Sequence, residues 1–127
     1  MFDKYPISSA DAPPPGGSYS SGVRAAGLLF VAGQTPRDRR RQIVNGNFSR
    51  QAEQVFANLI AVARAGGGSP ASALRVTVYL RDFADFADMD AAFAAAFPEP
   101  RPARTTVQSN LPVAIEVDGV FGVPAGL

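Results

Sequence analysis

The chain has no cysteine and no histidine. Without cysteine there are no disulfides, no thiolate metal ligands and no thiol nucleophile. Without histidine there is no serine–histidine triad, no imidazole ligand and no side chain that ordinarily titrates near neutrality. Lysine occurs once, at Lys4 in the N-terminal stretch, which argues against a Schiff-base lysine in the interior. An all-oxygen Mg²⁺ or Ca²⁺ site stays open to such a chain, yet no run of the DxDxDG kind is present. A net charge of +1 gives no electrostatic footprint for nucleic acid or a membrane surface. No apolar run approaches the roughly 20 residues of a membrane span, and Met1–Ala10 lacks a basic-then-apolar signal pattern; the expected location is the cytoplasm. Any chemistry must run on arginine, carboxylates, tyrosine, hydroxyls and backbone groups.

What is present reads as one domain over residues 1–127, long enough to bury a core. Residues 1–18, with Pro13-Pro14-Pro15-Gly16-Gly17, are expected to form an extended arm or loop. Tyr19–Arg24 and Leu28–Val31 read as a hairpin turning at Ala26-Gly27 and ended by Gly33. The four arginines of Arg37–Arg41 are most simply a solvated turn, with anion binding as the second reading. Asn47 or Ser49 can cap a helix running to about Ala65, because Ala52, Val55, Phe56, Leu59, Val62 and Ala63 recur at helical spacing. Gly66-Gly67-Gly68 stops that helix and is no phosphate loop, since no GK[ST] follows. Leu74–Leu80 alternates as a strand, with Leu74, Val76, Val78 and Leu80 on one face and Arg75, Thr77 and Tyr79 on the other. Asp82, with Asp85 behind it, caps a second helix whose stripe is Phe86, Met89, Phe93 and Phe97, ended by Pro98.

The segment Pro102-Ala103-Arg104-Thr105-Thr106-Val107-Gln108, then Ile115-Glu116-Val117, carries the densest chemical signal. It sets a lone arginine at the start of one strand, Arg104–Gln108, and a lone carboxylate within the next, Val113–Gly122. Arginine is the side chain best shaped to hold a small carboxylate through two parallel N–H bonds. Val113, Ile115 and Val117 share the face opposite Ala114, Glu116 and Asp118. The element order predicts an α+β two-layer sandwich, a mixed sheet with both helices on one face. The other face, with Thr77, Tyr79, Glu116 and Asp118, is too polar for a core and is expected to pack against further copies of the chain.

These motifs resemble the YjgF/RidA family, also described as L-PSP endoribonuclease-like proteins. The similarity runs through Tyr19-Ser20, Gly33-Gln34-Thr35-Pro36, Thr77-Val78-Tyr79-Leu80-Arg81-Asp82 and Pro102–Val107, in that order. The resemblance implies a chorismate-mutase-like fold, a homotrimer with ligand clefts between subunits, and hydrolysis of 2-imino or enamine acids to 2-oxo acids and ammonia without a cofactor. It matches Arg104 to the group gripping the substrate carboxylate and Glu116 to the group assisting water. Tyr19 corresponds to the aromatic closing the cleft, and Gly33 to a backbone position lining it. Thr106 stands where some members have cysteine, Ala32 where serine is common and Ala84 where asparagine often stands; the Arg104–Glu116 connection is a few residues shorter. Those departures favour the alternative of a non-catalytic trimer that binds a small carboxylate. A ribonuclease reading, suggested by the family's other name, has only Arg37–Arg41 in its support.

Overall fold

The computed structural model describes residues 2–124. The strands are β1 (Tyr5–Ile7), β2 (Gly22–Ala25), β3 (Leu28–Gln34), β4 (Ala73–Leu80), β5 (Ala103–Gln108) and β6 (Ile115–Gly122). The helices are α1 (Phe48–Ala65) and α2 (Phe86–Ala96). The strands form one sheet in the order β1-β2-β3-β6-β4-β5, antiparallel except for the β4–β5 pair. This is the expected α+β sandwich of a mixed sheet and two helices.

Local chemistry explains most boundaries. β2 turns into β3 through Ala26 and Gly27, both at positive φ (54° and 78°), the geometry that matches the twist of a two-residue hairpin. Asn47 is the cap of α1, its Oδ1 accepting from the Arg50 N–H at 3.0 Å. The buried stripe of α1 is the one expected, with Asn58 added to it. The helix stops at Gly66, and the positive φ of the glycine triplet falls on Gly67. Phe56 meets Phe93 and Phe97 edge-on at 5.8 and 5.9 Å between ring centroids, joining α1 to α2 across the helix layer. Leu29, Val76, Val78, Ile115, Val117 and Phe121 form the floor of that core.

Several expectations are corrected. Within the extended N-terminal arm, Tyr5–Ile7 gains a partner that was not expected, pairing antiparallel with β2 and extending the sheet. The first strand of the hairpin begins at Gly22, so Tyr19 lies in the preceding loop, and β3 runs through Gly33 to Gln34. Leu74 leaves the core face and is 51% exposed, with Ala73 buried instead. The cause is a bulge: Ala73 pairs with Phe121 and Arg75 with Val120, so Leu74 is the extra residue and alternation slips by one. Asp82 caps a short 3-10 turn over Phe83–Asp85, its carboxylate accepting from the Ala84 N–H, and α2 follows. That turn rotates Phe86 outward, where it is exposed and stacks edge-on against Phe83. β6 starts at Ile115, two residues later than expected, although Val113 is buried.

Candidate active site on the open face of the sheet

Alternation along β6 sends Ile115 and Val117 into the helix layer and Glu116 and Asp118 to the opposite face. Glu116 sits beside β3, where the ladder shifts register between Val31 and Gln34. This second bulge brings Gly33 against the carboxylate: a Cβ on Gly33 would lie 2.7 Å from Glu116 Oε2. Any larger residue would push the end of the Glu116 side chain aside, so close approach favours glycine; φ plays no part. Burial pushes the Glu116 carboxyl above its ordinary value of 4.5, and the neighbouring Asp118 charge adds to the push. Asp118 in turn accepts a 2.9 Å hydrogen bond from the Tyr79 hydroxyl. That bond, ahead of burial, raises the Tyr79 phenol.

Glu116 and Gly33 line a cavity of about 390 Å³ together with Tyr19. The Tyr19 hydroxyl accepts from the Gly16 N–H at 2.9 Å, which fastens the ring to the proline-rich loop. Pro13, Pro14, Pro15, Ser21, Gln34, Thr35 and Arg41 complete the wall. Gln34 and Thr35 lie in the motif shared with the family and Arg41 in the run whose second reading was anion binding, but none of the seven was named as a site residue. Prolines and small polar residues carry no pattern, and Arg41 is one of a run of arginines. The loop after β3 is held by Asn58, buried within the apolar stripe of α1. Its amide donates to the carbonyls of Thr35 (3.0 Å) and Arg37 (2.8 Å) and its Oδ1 accepts from Gln54. A polar residue inside a helical stripe was the signal that could have found it.

Arg104 and Thr106 lie elsewhere in the chain. β5 is an edge strand separated from β6 by β4, and Arg104 pairs in register with Val76, a helix-face residue. Its guanidinium donates to Asp90 Oδ1 on α2 at 2.8 Å and stands 4.7 Å from the Phe93 ring centroid and 5.4 Å from that of Phe86. The Arg104 side chain is only 20% exposed. Thr106, two residues on, shares that side of the strand and pairs with Val78. One chain thus gathers Tyr19, Gly33 and Glu116, and keeps Arg104 and Thr106 at the opposite face and the sheet edge. Among the described residues, no group of three or more His, Cys, Asp or Glu side chains is placed to hold a metal ion. Among the described residues, no helix is long and apolar enough to cross a membrane.

A mixed sheet backed by two helices, with a half-buried carboxyl in a cavity on its bare face, defines a chorismate-mutase-like α+β protein. The family model for Endoribonuclease L-PSP matches residues 9–120, and the chain belongs to that family, the YjgF/RidA proteins. It is 42% identical over 118 residues to a RutC family protein of Pyrococcus horikoshii, covering 90% of this chain and 94% of the relative. It is 33% identical over 108 residues to the 2-iminobutanoate/2-iminopropanoate deaminase of Dermatophagoides farinae, covering 84% of each chain. Among solved structures, E. coli TdcF with bound serine aligns with a TM-score of 0.88 at 27% identity, covering 94% of this chain and 99% of that chain.

Proposed function

We propose that the protein is a hydrolytic deaminase, converting 2-imino acids and their enamine tautomers to 2-oxo acids and ammonia. The observation that carries this reading is Glu116: a half-buried carboxyl with a raised pKa, against a glycine, in a cavity sized for a small acid. A carboxylate of that kind takes a proton from water as the water adds to the imine carbon, and returns it to the nitrogen as the carbinolamine expels ammonia. Each substrate and one water give one 2-oxo acid and one ammonia, with no covalent intermediate, so the missing cysteine and histidine are no obstacle. Tyr19 covers the cavity and Gly33 lets the backbone approach the reacting group.

Arg104 and Thr106 belong to this reading as contributions from a neighbouring copy in a homotrimer. Arg104 holds the substrate carboxylate, and Thr106 lines the same wall. The separation of Arg104 from Glu116 within one chain supports the intersubunit arrangement, because only a second copy can bring the two together. The named deaminase relative at 33% identity supports the substrate class. The cytoplasmic location expected from the sequence is kept as part of this reading.

The test is release of 2-oxo acid from 2-iminopropanoate generated in situ by a serine dehydratase. Pyruvate should form faster with the protein than without it. Arg104→Ala should lower kcat/KM by at least about 100-fold, the scale of a lost charge-assisted hydrogen bond pair, while sedimentation still reports a trimer. Pyruvate appearing at the uncatalysed rate would remove the deaminase reading. The second reading, a trimer that binds a small carboxylate without turning it over, is favoured by Ala32 and Ala84, which stand where the deaminases commonly have serine and asparagine. Calorimetry with 2-oxo acids separates the two, since binding without turnover leaves only the second.

A further inference from the structure

The cavity that holds Glu116 also holds an arginine that the proposed chemistry does not use. Arg41 lines its wall beside Gly33, Thr35 and Tyr19. Its backbone is in the left-handed region at φ 63°, a conformation that costs a residue with a Cβ roughly 1–2 kcal/mol.

The surrounding loop is built to keep it there. Asp38 Oδ1 accepts from the N–H groups of Arg40 (2.8 Å) and Gln42 (3.1 Å), and Asp38 and Gln42 pair through their backbones. The Arg41 N–H donates to the Asp38 carbonyl at 2.9 Å. Arg37 donates to Thr35 Oγ1 and to the Arg41 carbonyl, and bridges Ile43 across the loop. The Arg41 side chain then crosses to the N-terminal arm, where one terminal nitrogen donates to the Pro14 carbonyl at 2.7 Å. The guanidinium lies against Gly16, where a Cβ would push it aside.

No carboxylate neutralises this cation. Among the described residues the only ion pairs are Arg101–Glu99 and Arg104–Asp90. Glu116 shares the cavity but makes neither a salt bridge nor a hydrogen bond with Arg41. A guanidinium has five N–H donors, and the Pro14 carbonyl takes one of them. A half-buried, geometrically fixed and uncompensated cation in a small cavity is a binding group for an anion.

We infer that Arg41 is a second carboxylate-binding group of this cavity, and that the protein selects dicarboxylic 2-imino and 2-oxo acids over monocarboxylic ones of the same length. This rests on the reading above, in which Arg104 of a neighbouring copy holds the carboxylate next to the reacting carbon. Arg41 then meets the acid group at the far end of the side chain, and Glu116 serves the carbon between them.

The matched pair of probes is 2-oxoglutarate and 2-oxopentanoate, which differ only in a terminal carboxylate against a methyl. Calorimetry on the intact wild-type protein should show 2-oxoglutarate binding at least about tenfold more tightly, about 1.4 kcal/mol. Arg41→Gln should reduce the ratio of the two affinities to about one. Arg41→Lys, which keeps the charge and loses the fork, should retain a ratio clearly above that of the Gln variant. Three results overturn the inference: equal binding of both acids by the wild type, binding of neither, or a preference that survives Arg41→Gln. A lysine variant indistinguishable from the glutamine variant also overturns it, because the effect would then come from loop structure and not charge. A preference without any imine turnover keeps the inference and removes the deaminase reading. Turnover without a preference does the reverse.

Discussion

The two faces of the sheet are made by the same strands and obey different rules. On the helix face, Val76, Val78, Ile115 and Val117 meet the apolar stripe of α1 and the Phe56–Phe93–Phe97 cluster, an apolar core with the Arg104–Asp90 pair at its sheet edge. On the bare face, Tyr79, Glu116 and Asp118 alternate with those residues: the Tyr79 hydroxyl donates to Asp118, and the Asp118 charge repels that of Glu116. Burial is what the first face gains from; it is what perturbs the second. The difference teaches that a period-two strand lets stability and chemistry be adjusted separately, since adjacent residues on one strand report to different surroundings.

The separation can be broken most strongly from the helix side. Phe56→Ala removes the ring that both other aromatics lean on, and should cost about 3–5 kcal/mol of unfolding free energy by denaturant titration. Glu116 should answer in the opposite way. Glu116→Gln is expected to lower kcat by about 100-fold at neutral pH and to abolish the acid limb of the pH–rate profile. In the wild type that limb should lie above the ordinary carboxyl value of 4.5, because the deprotonated form is the one that accepts a proton from water. The sign for stability is the reverse. A raised pKa means that the folded chain holds its proton more tightly than the unfolded one. The stability this contributes is full below 4.5 and is lost as pH rises through the raised value. Glu116→Gln should lack that pH dependence in urea titrations.

Two finer substitutions sharpen the contrast. Gly33→Ala places a methyl 2.7 Å from Glu116 Oε2, and should lower kcat/KM about tenfold, with a change in melting temperature of only a few degrees. A large loss of stability with activity intact would mean that the close approach serves packing. Asp90→Asn, on the helix side, frees the Arg104 guanidinium from an exposed ion pair worth at most about 1 kcal/mol. Substrate KM should therefore fall by no more than about fivefold; a rise would show that Asp90 orients Arg104 for the ligand.

The helix face was legible in the sequence because periodicity encodes it directly. The α1 stripe, the Ala26-Gly27 turn and the alternation of β6 all emerge from residue spacing. Leu74 and Phe86 were misplaced for one shared reason: a single-residue bulge and a single 3-10 turn each shift the phase, and neither leaves a compositional mark. The site was legible in part. Tyr19, Gly33 and Glu116 do converge on one cavity, and their convergence came from motif resemblance, since no spacing rule joins positions so far apart. Arg104 was singled out for its chemistry, but its placement beside Asp90 and Phe93 depends on how α2 packs. Arg41 was hidden among like neighbours: its positive φ and its bond to the Pro14 carbonyl, neither visible in the sequence, set it apart from the exposed Arg39 and Arg40.

The buried amide of Asn58 has a further consequence. Because it grips the carbonyls of Thr35 and Arg37, the loop that walls the cavity is fastened to the middle of the most deeply packed helix. A surface loop ordinarily opens by local fluctuation and exchanges its amide hydrogens quickly. Here that opening must break two hydrogen bonds made by a side chain that is only 1% exposed, so the loop's slow exchange should track the breathing of the core. The mouth of the cavity is, in this sense, thermally coupled to the helix layer behind the sheet.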